Sequence, residues 1–177
     1  MIHTREEIPS LLKDGSVGCE IGVFEGEYSQ VLADSGKFNK LYLVDVFSGV
    51  ASSGDKSGKY VKTYSDAGML FEHNQNRFSR YDFIEVVKED GISFLNQKPN
   101  HFDFIYIDTL HTYDHTLKEL EAAYSAVKSG GYITGHDYND SQYGGLVRAV
   151  KEFCDKYQLR FQTTDQDFLE SYIIIKP

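Results

Sequence analysis

The chain lacks the features that mark a cross-linked, membrane-spanning or nucleic-acid-binding protein. Its 177 residues hold two cysteines, Cys19 and Cys154, far apart in sequence. Two isolated thiols give neither a disulfide framework nor a zinc site. No run of apolar residues reaches the roughly 18 needed to span a bilayer, and the first nine residues are too polar for a signal region. Basic residues are also short: 18 Lys and Arg stand against 27 Asp and Glu, for a net charge of −9. A chain this acidic, without a local basic cluster, repels phosphate backbones. Nucleic acid and membrane are therefore excluded as expected partners, and a neutral or cationic small molecule fits better. No internal repeat or linker divides the sequence. The expectation is one cytoplasmic domain over residues 1–177, with homo-oligomerisation left open.

The sequence does contain a core and a rhythm. A chain of this length buries about 70% of its unfolded surface, and 41% of its residues are hydrophobic, so a packed core is expected. Strand and helix patterns alternate. A short helix is predicted over residues 4–12, with Thr4 as N-cap and Glu7 at the capping-box position. Strands follow at 17–23, 40–47, 82–87, 102–108 and 132–137. Helices are predicted from residue 25 and at 61–80, 91–97, 114–128 and 146–157, and Gly130-Gly131 should end the fourth of these. Residues 48–58 are rich in Gly and Ser and read as a loop or an active-site lid. Two last strands, 160–164 and 171–176, are joined too tightly for a crossover helix and must form an antiparallel hairpin. The expected fold is α/β and Rossmann-like: a doubly wound, seven-stranded, mostly parallel sheet with helices on both faces.

Chemistry is expected at the strand ends. Glu20-x-Gly22-x-x-x-Gly26 lies between the first strand and the first helix. There glycine permits a sharp turn and close ligand approach, and the helix start offers unpaired N–H groups. Phe24 stands where a dinucleotide fingerprint needs its middle glycine. Asp45, about 20 residues on, is placed to accept ribose hydroxyls. Asp90 follows the third strand; for a ligand that carries adenine, it would read the base edge together with the backbone of Gly91 and Ile92.

Four segments carry a family resemblance: Glu20 to Ser29, Leu41 to Asp45, Phe102 to Tyr113 and Val127 to Tyr138. They resemble class I S-adenosylmethionine-dependent methyltransferases, most of all the branch of macrolide-sugar O-methyltransferases and cephalosporin-cluster proteins. The resemblance covers nearly the whole chain, and Asp-x-x-His-x-Tyr followed by Gly-Gly and His-Asp-Tyr is its most specific part. It implies Glu20, Gly22 and Gly26 around the methionine moiety, Asp45 at the ribose and Asp90 near adenine.

Asp108 and Asp137 close two strands expected to be neighbours. Adjacent strands lie about 4.8 Å apart, so both carboxylates can converge on one cation. Oxygen ligands suit Mg²⁺ or a similar divalent ion, which would orient substrate hydroxyls and acidify the attacking one. His136 is a third candidate ligand, although strand alternation turns neighbours apart. Related metal-using enzymes often carry an acidic residue or Asn at that point, and Asn139 and Asp140 lie near enough to substitute. His111, on the loop beyond Asp108, is the candidate general base, with Asp108 as the other catalytic candidate. His115 and Glu119 read as exposed helix residues.

The expected activity is methyl transfer to a hydroxyl oxygen of a small polyhydroxylated acceptor, a sugar or a catechol-like compound. The alternatives are a non-catalytic cofactor-binding or regulatory module, and a nicotinamide-dependent oxidoreductase; Phe24 counts against the latter.

Overall fold

A computed structural model describes residues 2–48 and 67–177. The proposed lid falls outside them, except for Ser48, as does the first part of the helix expected at 61–80. After a 3₁₀ helix at Arg5–Leu11, the elements run β1 (Ser16–Ile21), α1 (Glu27–Asp34), β2 (Phe38–Asp45), α2 (Ala67–Phe78), β3 (Ile84–Lys88) and α3 (Gly91–Asn96). They continue as β4 (Phe102–Ile107), α4 (Tyr113–Ala126), β5 (Val127–Gly135), α5 (Asp140–Tyr157), β6 (Phe161–Thr163) and β7 (Tyr172–Ile175).

The strands form one seven-stranded sheet in the order β3-β2-β1-β4-β5-β7-β6. All pairs from β3 to β5 are parallel, and β7 is antiparallel to both β5 and β6. The chain leaves β1 toward β2 and β3, then returns on the other side through β4. That reversal opens a crevice at the carboxyl ends of β1 and β4, where open α/β sheets take their ligands.

The side chains of β4 show how both faces of the sheet are filled. Ile105 and Ile107 join one apolar cluster, which includes Leu120, Val150 and Phe153. Phe104 and Tyr106 join the other, with Ile8, Tyr28 and Leu32. Phe102 breaks this alternation by packing with Ile105, because the β4–β5 register shifts between Phe102 and Phe104. Asp103, at the shift, accepts Val17 N–H at 2.8 Å and pairs with Lys128 at 2.9 Å.

Several boundaries differ from the sequence reading. Glu7 closes the first turn by accepting from His3 N–H at 2.8 Å, and Thr4 makes no side-chain cap. Gly130-Gly131 lies inside β5, because Val127 already pairs with Phe102 and Gly130 N–H donates to the Lys176 carbonyl. Helix α5 starts at Asp140, six residues before the expected 146, capped by the Asn139 side chain and broken at the non-helical Tyr143. No helix among the described residues is long and apolar enough to cross a membrane.

Candidate active site

A cavity of about 550 Å³ occupies the crevice. Its floor is the close approach of β1 to β4. Gly22 has φ +88°, and a Cβ there would fall 1.8 Å from the Asp108 carbonyl oxygen. Only glycine lets the two strand ends meet so closely. The ladder extends past the strands, with Gly22 N–H donating to Val44 O at 3.0 Å and Asp108 N–H to Ile21 O at 2.9 Å.

Asp45 organises the turn. Its Oδ2 accepts from Val23 N–H at 2.8 Å and Phe24 N–H at 2.9 Å, and its Oδ1 accepts from Phe47 N–H at 2.7 Å. Phe24 and Phe47 are both left-handed, at φ 49° and 46°, a conformation unfavourable for a residue with a Cβ. One carboxylate thus holds two strained residues in place beside the cavity. Oδ2 is filled by its two N–H donors, while Oδ1 keeps an acceptor site for a ligand.

The residues expected around a cofactor separate into two groups. Gly22, Asp45, Asp90 and Gly91 line the cavity. Asp90 caps α3 by accepting from Ser93 N–H at 2.9 Å, and Gly91 is pressed against Ile21. Glu20, Gly26 and Ile92 stand behind the wall. Ile92 packs into the core. Gly26 adopts φ 76° as the N-cap of α1, and a Cβ there would meet Asn74 and Phe78 of α2. Glu20 is 2% exposed and accepts a short hydrogen bond from the Ser29 hydroxyl. Burial raises its carboxyl to about 8, against the pull of that hydroxyl.

Asp108 and His111 also line the cavity, and with Asp137 they bring one ligand atom each to within 4.8 Å of one another. His111 Nε2 stands 2.9 Å from Asp137 Oδ2 and 3.7 Å from Asp108 Oδ1. Neither His111 Nε2 nor Asp137 Oδ1, both buried, has an aligned hydrogen-bond partner among the described residues. Acceptor atoms that converge without hydrogen-bond geometry fit a divalent cation. His136 Nδ1 lies 3.2 Å from Asp137 Oδ1 and 3.8 Å from Asp108 Oδ2, outside the group of three. Asp137 is left-handed at φ 61°. Burial opposes its charge, yet His111 and His136 hold its carboxyl well below the usual range. Burial likewise opposes the charge on His111, but Asp108 and Asp137 outweigh it and raise the imidazole to about 9.

The reading of His115 and Glu119 as exposed helix residues is corrected. Both line the cavity, and Glu119 is 2% exposed. They lie one helical turn apart on α4, and the i, i+4 spacing of two polar residues was the signal available.

The comparisons with known proteins agree with this architecture. A family model described as a methyltransferase domain matches residues 19–138. An uncharacterized protein of Acanthamoeba polyphaga mimivirus is 27% identical over 135 residues, which cover 76% of this chain and 57% of that one. The chain therefore spans little more than half the length of that curated relative. Among solved structures, a SAM-dependent methyltransferase from Aquifex aeolicus aligns with TM-score 0.65 and 17% identity, covering 96% of this chain and 88% of that one. A SAM-dependent O-methyltransferase from Thermotoga maritima aligns with TM-score 0.61 and 12% identity, covering 96% and 63%. Spermidine synthase from Thermotoga maritima shares the fold as well, with TM-score 0.63, 19% identity and coverage of 96% and 58%. With its strand order, its closing hairpin and a matched region running from β1 to the Asp137 turn, the chain belongs to the methyltransferase-domain family and has the class I, Rossmann-like fold.

Proposed function

We propose that the protein transfers the methyl group of S-adenosylmethionine to a hydroxyl oxygen of a small polyhydroxylated acceptor, a sugar or a catechol-like compound, with help from a divalent cation such as Mg²⁺. The observation that carries this reading is the juxtaposition of two sets of residues on one cavity. Gly22, Asp45, Asp90 and Gly91 line it together with Asp108 and His111, and Asp137 joins the last two in one ligand-like group. The family match supports methyl transfer, and the resemblance to sugar O-methyltransferases supports oxygen as the acceptor atom.

The residue roles follow from position. Gly22 gives the cofactor close access to the backbone, and Asp45 accepts from ribose hydroxyls. Asp90 and the backbone of Gly91 face the base. Asp108 and Asp137 would hold the cation, which would supply Lewis-acid help by acidifying an acceptor hydroxyl. His111 stands on the cavity wall. With Asp108 and Asp137 neutralised by a cation, the pull that raises its imidazole would be lost, and burial would hold it neutral and ready to take the hydroxyl proton. Because the methyl group is already electrophilic, the protein's main task is to align the acceptor oxygen with the sulfur–methyl axis.

Isothermal titration of the folded chain with S-adenosylhomocysteine tests the cofactor. No detectable heat would remove the reading. Methyl transfer from labelled cofactor to a panel of sugars and catechols tests the acceptor, and the same transfer after exhaustive chelation tests the cation.

A further inference from the structure

His115 and Glu119 border the cavity and have no role in the chemistry above. Glu119 Oε1 accepts from Thr109 Oγ1 at 2.5 Å and stands 3.1 Å from His115 Nε2. Its Oε2 is buried and has no hydrogen-bond partner among the described residues. A buried carboxyl oxygen left unpaired is costly, so this is a place where a ligand that brings a donor gains most.

We propose that Glu119, steadied by His115 and Thr109, is a selectivity element for the exocyclic amine of a purine, with Oε2 accepting one of its N–H groups. The proposal rests on the reading of the cavity as an S-adenosylmethionine site and adds to Asp90 and Gly91 at the base. The chemistry of the wall favours this occupant. Val44, Val46 and Leu110 line the cavity with apolar surface suited to a flat ring. Two of the side-chain carboxyls on the same cavity, Asp90 and Glu119, offer acceptors to such a ring. An amine with two N–H groups satisfies such a pair, whereas a keto group in its place meets carboxyl oxygens and is rejected. With Thr109 and His115 both engaging Oε1, Oε2 is the oxygen left for the ligand.

The competing role is internal. Tyr172 Oη is also buried without a partner, and a water shared with Glu119 would make the carboxyl a structural group. Titration of the full chain with S-adenosylhomocysteine and with S-inosylhomocysteine, its 6-keto analogue, separates the two roles. The adenine form should bind about 10- to 100-fold tighter to the wild type. In Glu119→Gln, whose amide donates to a keto group, that ratio should fall about tenfold. His115→Asn, a change at a partly exposed position, should narrow it by about threefold and serves if the first variant does not fold. Equal binding of both nucleosides by the wild type would overturn the proposal. So would a ratio unchanged in both variants, with only the melting temperature lowered in Glu119→Gln. A wild type that binds neither nucleoside would overturn the cofactor reading, and this proposal with it.

Discussion

The buried carboxyl of Glu20 makes a quantitative prediction about stability. Burial raises it from 4.5 to about 8, so the folded chain holds this proton far more tightly than the unfolded chain does. The sign is the reverse of the usual carboxylate case. The contribution is fully present below pH 4.5, is lost as pH rises toward 8, and changes little beyond that. A rise of this size corresponds to about 5 kcal/mol, most of it lost between pH 5 and pH 8. His111, raised to about 9, and His115, raised chiefly by Glu119, lose stability with rising pH as well. The wild type alone therefore cannot isolate Glu20. The informative quantity is the difference between wild type and Glu20→Gln, which keeps the shape and an acceptor for Ser29 but cannot ionise. Urea unfolding of both proteins at half-unit steps from pH 5 to pH 8.5 measures it. The variant should gain on the wild type by several kcal/mol across that range and stand clearly above it at pH 8. A difference that stays constant within about 0.5 kcal/mol would refute the reasoning and place an ionised Glu20 in the folded chain.

The glycine turn and the strand-end carboxylates give three further expectations. Gly22→Ala should unfold the chain or lower its melting temperature far more than Gly36→Ala. A Cβ at Gly22 would fall 1.8 Å from backbone, whereas Gly36, at φ +69°, has nothing within 4 Å and should cost only about 1 kcal/mol. Thermal unfolding of the two variants decides this. Asp45→Ala removes the acceptor of three N–H groups and should weaken S-adenosylhomocysteine binding at least about tenfold by titration calorimetry. Asp108→Asn and Asp137→Asn should each abolish turnover and Mn²⁺ binding, with S-adenosylhomocysteine affinity kept within about threefold; turnover in either variant would remove the cation from the mechanism.

The fold was legible because burial leaves a one-dimensional trace. The apolar runs of β2 and β4, the short link before the last strand and the Gly22 turn each allow few architectures. The side-chain set at Asp108 and Asp137 was legible for the same reason, because neighbouring parallel strands bring their ends together. Other features depended on contacts that no local pattern encodes. Gly130-Gly131 looked like a helix stop, but its backbone is claimed by Lys176, 46 residues on. Glu20 and Gly26 sit in the motif yet face Ser29 and α2, away from the cavity. Glu119 was misread because a charged helix residue is usually solvated, whereas the fold buries it beside Thr109 and His115.

The sheet order of the last two strands has a consequence for how the chain is made. Among the described residues β6 pairs only with β7, and β7 lies between it and β5. During synthesis, β6 therefore leaves the ribosome with no strand to join. It must wait, tethered behind α5, until Tyr172–Ile175 has followed it out and docked on β5. The parallel strands can assemble while translation continues, but this edge can be completed only afterwards. A nascent chain arrested before residue 172 should thus present a finished Asp45 turn beside an open β5 edge, the surface most exposed to a chaperone or to a neighbouring chain.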